Sequence, residues 1–153
     1  MDWNAELIMA LRAVVATLLG AIVGLERERH GSDADMRTYG AVSLGACVFA
    51  LVSAHANPSS ETTRIAANVV TGVGFLGAGV ILRDQGRAVG LTTAATLWST
   101  AAVGLAVAYG MYVLGVLGAV IIFTLLAVHD VPGWRRGPQD GRQQSRLDDP
   151  ELR

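Results

Sequence analysis

Lysine does not occur in this chain, so all twelve basic charges are carried by arginine. Charge of either sign is scarce: only 16% of the 153 residues are acidic or basic. Between Thr38 and His129 the charged residues are Glu61, Arg64, Arg83, Asp84 and Arg87 alone. A globular sequence normally carries about a quarter charged residues, so this stretch cannot cover the surface of a water-soluble domain. Cysteine occurs once, as Cys47 within an apolar run, which excludes an intrachain disulfide and leaves a packed, inert thiol. The four prolines, Pro58, Pro132, Pro138 and Pro150, all lie outside the apolar runs, where they interrupt no helix.

Recognisable chemistry is equally sparse. His30, His55 and His129 each stand at the end of a different segment, without a second histidine or cysteine at metal-ligand spacing. No serine sits in a nucleophile-elbow pattern. A net charge of −1 provides no basic face for nucleic acid. The expectation is a protein that is not an enzyme, with no cofactor and no nucleic-acid partner. One stretch, Gly72-Val73-Gly74-Phe75-Leu76-Gly77-Ala78-Gly79, satisfies the G-x-G-x-x-G spacing of dinucleotide-binding loops. That fingerprint needs a preceding strand and a carboxylate about 20 residues on. Asp84 comes too early and the next acid is Asp130. The glycines need another explanation.

What the chain does have is length of apolar sequence. Runs over 7–25, 38–55, 65–82, 91–108 and 111–128 approach the 17–25 helical residues that cross a ~30 Å hydrocarbon layer. They predict an all-α membrane protein, a bundle of five transmembrane helices within a domain at 1–129. Asp2 and Glu6 precede the first run where a signal peptide would be basic, so this run is expected to remain as a span. Arginine then orients the bundle. With the first loop in the cytoplasm, ten arginines lie inside: Arg27, Arg29, Arg37, Arg83, Arg87, Arg135, Arg136, Arg142, Arg146 and Arg153. Only Arg64 lies in an outside loop, so the positive-inside rule puts the N terminus outside and the C terminus in the cytoplasm. Arg12, near the outer end of the first span, is expected to reach the outer surface or Glu6. Trp134 reads as an interfacial anchor and Trp98 as a helix-packing residue. The segment 130–153, rich in Pro, Gly, Gln and charge, reads as a disordered polar cytoplasmic tail.

Lipid supplies no hydrophobic force between helices, so they associate through close backbone packing at small residues. Gly20 and Gly24 form a G-xxx-G pair in the first span. Gly72, Gly74, Gly77 and Gly79 make the third span unusually smooth, and packing is the favoured reading because neither proline nor charge lies inside that run. The other reading is a broken helix whose carbonyls line an ion path. Arg64, Asn68 and Thr71 share one face of the third span at i, i+4, i+7 spacing, and Thr92, Thr96 and Ser99 do so in the fourth. The threonines read as helix-to-helix hydrogen-bonding groups, while Arg64 and Asn68 are the candidates for function. On the cytoplasmic side, Glu26, Glu28, Asp33, Asp35 and Asp84 face as many arginines, a mixture suited to ion pairing. A metal reading would centre on Glu26 and Asp84, although magnesium sites want few competing cations.

Four blocks carry a resemblance: "GLERE" at 24–28, "MRTYGAVSLGA" at 36–46, "RIAANVVTGVGFLGAGVILR" at 64–83 and "GLTTAATLWSTAAVGL" at 90–105. In that order they resemble the MgtC/SapB family of bacterial inner-membrane proteins. The resemblance implies a five-helix membrane domain with its N terminus outside. It also implies a role in growth at low magnesium and in virulence, through regulation of membrane partners such as the rotary ATP synthase and not through established magnesium transport. It carries Glu26, Arg37, Thr38, Arg64, Asn68, Arg83 and Thr93 onto motif positions. The chain departs from the longer members in having a short polar tail where they have a folded cytoplasmic domain. It also has Thr92 in place of Asn and Ser99 in place of Cys. The expectation is a short family member, a homo-oligomeric regulator in the lipid bilayer of the inner membrane. The alternative is a cation transporter or channel whose path is the third helix.

Overall fold

Helices form along all of the apolar runs. The computed structural model describes residues 3–32, 34–56, 62–84 and 87–128. It contains α1 (Trp3–Arg29), α2 (Met36–Ala56), α3 (Thr62–Val80), α4 (Leu91–Ala108) and α5 (Tyr112–Ala127). A short antiparallel hairpin, β1 (Leu82–Asp84) with β2 (Arg87–Val89), separates α3 from α4, pairing Leu82 with Val89 and Asp84 with Arg87. The polar segment 130–153, Asp33 and the side chains of Arg83, Asp84 and Arg87 lie outside the described residues.

Two helices differ most from the apolar runs. The first helix extends well past 7–25 at both ends, and its 27 residues reach roughly 40 Å. Its last turns, with Glu26, Arg27 and Arg29, therefore project beyond the length of an apolar layer. The third helix stops at Val80 instead of residue 82, because the chain there leaves the helix to pair across the hairpin. The architecture is accordingly all-helical apart from this one short hairpin among the described residues. Gly90 closes the hairpin at φ +87, a conformation that L side chains rarely adopt. A Cβ there would also overlap the Val80 carbonyl.

The turns have local causes. After α1, Ser32 N–H donates to the Arg27 carbonyl and Gly31 N–H to that of Glu28, with Gly31 at φ +67. After α4 the same pattern recurs, from Met111 to Ala106 and from Gly110 to Val107, with Gly110 at φ +76. Both are Schellman stops, in which a left-handed glycine lets the last carbonyls find donors. The start of α2 is capped by Asp35, whose Oδ1 accepts from both the Thr38 N–H and the Thr38 hydroxyl at 2.9 Å.

Packing is organised around α4, which touches each of the other four helices, while α1 and α2 form the most extensive single pair. The buried residues are mostly small: Ala16, Ala46, Ala50, Ala94, Ala101, Ala106, Ala108 and Ala119. The large apolar side chains point outward, among them Leu7, Leu11, Val14, Leu18, Ile22 and Leu25 along one face of α1. Phe75 is 81% and Val113 83% exposed. Trp98, expected as a packing residue, is 49% exposed, because the buried side of α4 is taken by Ala94, Leu97 and Ala101. A water-soluble protein buries its large hydrophobes. Small residues between helices and large ones outside are the arrangement that lipid solvation favours. Three helices, α1, α2 and α4, are by themselves long and apolar enough to cross a membrane, and α3 and α5 are shorter apolar helices.

Candidate functional site

The α1 end, the α2 start and the α4 start converge. Gly24 permits this, since a Cβ on it would lie 2.6 Å from Met36 Cα and 2.9 Å from the Asp35 carbonyl oxygen. The approach buries Glu26, an acidic residue only 5% exposed. His30 is one turn on, its Nδ1 2.7 Å from the Glu26 backbone oxygen and 3.4 Å from the carboxylate. With the proton on Nδ1, the imidazole donates to that carbonyl and shields the acid. Arg27 Nε is buried beside them with no hydrogen-bond partner among the described residues.

One helix turn into α2, Tyr39 is fully buried and its hydroxyl lies 2.6 Å from Thr96 Oγ1 of α4. Thr96 in turn donates to the Thr92 carbonyl at 2.8 Å, which leaves Tyr39 as donor to Thr96. Thr93 stands half-buried beside this pair, and its carbonyl is 3.1 Å from the Thr96 hydroxyl. The Asp35 carboxyl, at the loop edge, is held below its ordinary value of 3.8, first by the Thr38 N–H and then by its hydroxyl. Tyr39, Thr96 and Thr93 thus join the starts of α2 and α4, with Thr38 bound to Asp35 at the α2 cap and Glu26 buried at the end of α1. Arg37 is exposed on the same loop end.

Arg64, Asn68 and Thr71 lie elsewhere, on an exposed face of α3. The 21 residues of α2, roughly 31 Å of helix, separate the chain end at α3 from the Glu26 junction. Thr71 donates to the Ala67 carbonyl at 3.0 Å. The glycines also divide. Gly20 of α1 is pressed against α2, where a Cβ would sit 2.6 Å from both Ser43 Cβ and the Tyr39 carbonyl oxygen. Gly77 meets Ala94 of α4 in ordinary contact at 3.4 Å. Gly72, Gly74 and Gly79 face open space, so within this chain they are not helix contacts. Since α3 is one continuous helix across all four, the bundle contains no break at this stretch. The Glu26 and Asp84 pairing lies partly outside the described residues, which contain no group of three or more His, Cys, Asp or Glu side chains able to hold a metal ion.

One feature had no part in the sequence reading. Gly104 of α4 packs against the Ser43 carbonyl, and Gly20 of α1 against the Ser43 Cβ. The Ser43 hydroxyl is buried without a partner among the described residues. Arg12 does not pair with Glu6. It donates through Nη1 to the Ala108 carbonyl at 2.7 Å and through Nε to the Tyr112 hydroxyl at 3.0 Å. It thereby ties α1 to the α4–α5 turn. An arginine within the first apolar run is visible in sequence, but its acceptor 96 residues away is not.

Outward-facing large hydrophobes around a small-residue core define an all-helical membrane protein. Comparison with known sequences gives the family. The MgtC family matches residues 13–131, and the chain belongs to it. An uncharacterized protein of Synechocystis sp. is 43% identical over 122 residues, covering 80% of this chain and 51% of that protein. The putative magnesium transporter YhiD of Escherichia coli is 40% identical over 126 residues, 77% of this chain and 59% of YhiD. Protein MgtC of Salmonella typhimurium is 44% identical over 112 residues, 73% of this chain and 48% of MgtC. The chain thus spans about half the length of these curated relatives. No solved structure matches it.

Proposed function

We propose that this chain is a non-catalytic regulator in the bacterial cytoplasmic membrane that acts by binding membrane proteins under magnesium limitation or host-imposed stress. Five spans carry it, with the N terminus outside and the C terminus in the cytoplasm. The shorter helices α3 and α5, roughly 28 Å and 24 Å long, come close enough to the hydrocarbon thickness for local thinning of the bilayer to absorb the difference. The arginine asymmetry supports the orientation. The observation that carries the regulatory reading is the closure of the bundle centre. Gly20 and Gly104 bring α1 and α4 onto α2 at Ser43 and the Tyr39 carbonyl, so closely that neither contact would admit a methyl group. The working surface is then the exterior, including homo-oligomer contacts and a partner of the rotary ATP synthase kind that the family resemblance implies.

One observation favours a second reading, a cation transporter, in line with the printed name of YhiD. Arg64, Asn68 and Thr71 share a face of α3 on which Gly72 and Gly79 meet open space. A path there would need walls from another copy. Proteoliposomes containing only this chain separate the readings. No magnesium flux above protein-free vesicles is expected, and flux that Asn68→Leu abolishes would overturn the regulator. Reporter fusions at Asn57 and Gly110 should score external and those at Asp33, Gln85 and Gln139 cytoplasmic. A cytoplasmic signal at Asn57 would overturn the five-span topology.

A further inference from the structure

Between helices α2 and α3 runs an open groove of about 490 Å³. Its walls are apolar apart from one carboxamide, with Gly45 and Phe49 on α2 and Ile65, Asn68, Gly72 and Leu76 on α3. Gly45 and Gly72 differ from the glycines at helix crossings, because a Cβ on either would meet nothing within 4 Å. Here glycine keeps a channel open instead of bringing backbones together. From Ile65 to Leu76 the groove follows eleven residue steps, roughly 16 Å of helix. One leaflet of a ~30 Å hydrocarbon core has about that depth.

The cross-section selects the occupant. Spread over roughly 16 Å, 490 Å³ is an opening on the order of 30 Å². A helix with its side chains is about 10–12 Å thick and could lie only across the groove's mouth. A single hydrocarbon chain fits within it. The polar groups supply the other half of the ligand. Arg64 directly precedes the first α3 residue of the groove and shares a face with Asn68 one turn deeper. Both are exposed, and neither has a hydrogen-bond or ion-pair partner among the described residues. An unpaired carboxamide facing hydrocarbon is costly, and an arginine at the membrane edge attracts phosphate.

We propose that this groove binds one anionic phospholipid, its acyl chain lying between α2 and α3 and its phosphate on Arg64. The Asn68 amide, about 6 Å deeper along the helix, donates to an ester carbonyl of the same lipid. The proposal rests on the membrane-spanning reading given above and assigns the α2–α3 face to lipid instead of to a second copy of the chain.

The test uses the full chain reconstituted in equal parts of phosphatidylglycerol and phosphatidylcholine, then exchanged into detergent, with the retained lipid counted by native mass spectrometry. One phosphatidylglycerol per chain is expected, in excess over phosphatidylcholine. Arg64→Gln should lower that preference roughly fivefold, the effect of one basic residue at an anionic surface, while Arg64→Lys should keep most of it. Gly72→Leu should fill the groove and remove retention of both lipids. As a check that does not depend on that variant folding, Phe49→Trp fluorescence should be quenched more by brominated phosphatidylglycerol than by brominated phosphatidylcholine. Arg64→Gln should erase the difference. Equal retention of the two lipids by the unaltered chain, or an unchanged preference in Arg64→Gln, would overturn the proposal. So would efficient interchain crosslinking through Leu76→Cys in a Cys47→Ala background, which would give the groove to a second copy. Release of the chain from native membranes by alkaline carbonate would instead overturn the membrane-spanning reading. Firm membrane retention without lipid preference would overturn the lipid site alone.

Discussion

Replacing Gly20 by alanine tests whether the small residues of α1 hold the bundle together. The new Cβ would lie 2.6 Å from Ser43 Cβ and from the Tyr39 carbonyl oxygen, about 0.8 Å short of the 3.4 Å at which ordinary contact begins. One of the two partners is backbone, so no side-chain rotation relieves the overlap, and α1 must move away from α2. Overpacking of this kind costs about 1–3 kcal/mol. Against it stands the helix-propensity gain of about 1 kcal/mol for replacing glycine by alanine. The net expectation is a loss of roughly 0–2 kcal/mol for Gly20→Ala. Gly74→Ala, which meets nothing within 4 Å, should show the propensity gain alone and become slightly more stable. Gly77→Ala, in ordinary contact with Ala94 at 3.4 Å, should fall between the two. Gly104→Ala, directed at the Ser43 carbonyl, should be at least as damaging as Gly20→Ala. Unfolding in mixed micelles of increasing denaturing detergent, followed by circular dichroism, gives the order. If Gly74→Ala proves more destabilising than Gly20→Ala, the argument that intrachain contact decides the role of each glycine is wrong.

Tyr39→Phe removes the donor to Thr96 but leaves Thr96 bonded to its own helix. A loss near 0.6 kcal/mol, typical of interhelical hydrogen bonds in membranes, should appear in a double-mutant cycle with Thr96→Val. Arg12→Gln breaks charge-assisted bonds to Ala108 and Tyr112 and should cost about 1.5–3 kcal/mol. Hydrogen exchange should then accelerate at residues 109–112 more than at the α1–α2 loop. Asp35 has its carboxyl held below 3.8 by Thr38, so its capping contribution is complete above that value and fades as pH falls through the lower folded-state value. Asp35→Ala should therefore be less stable than the unaltered chain at neutral pH, with the gap closing in acid below about pH 4. A gap that stays constant down to pH 2 would contradict the cap.

The presence of five helices and their places were legible because lipid replaces the usual subtlety of burial with a simple demand. A segment must be long, apolar and free of proline, and charge scarcity between Thr38 and His129 marks such segments directly. The glycine stops at Gly31 and Gly110 and the Asp35 cap are equally local, since each depends on residues within one turn. The length of α1 was not legible, because hydropathy ends at Leu25 while helical hydrogen bonding continues through a polar turn to Arg29. The hairpin after Val80 was missed for a related reason: three-residue strands carry too little periodicity to register.

The roles of individual small and polar residues belonged to the tertiary structure. Gly20, Gly72 and Gly74 are alike in sequence, yet Gly20 presses on α2 while Gly72 and Gly74 face open space. What separates them is which face α4 and α2 cover, and a helix carrying small residues on every side does not announce that choice. The same holds for polar partners. Tyr39 and Thr96 are 57 positions apart, and Arg12 and Ala108 are 96. Their pairing follows from how neighbouring helices slide into register, which depends on the summed fit of many small contacts. Sequence alone determined that this chain enters a membrane as helices, because that depends on composition along each segment. Which residues meet inside the bundle, and which are left to lipid or to a partner, was decided only when the helices packed.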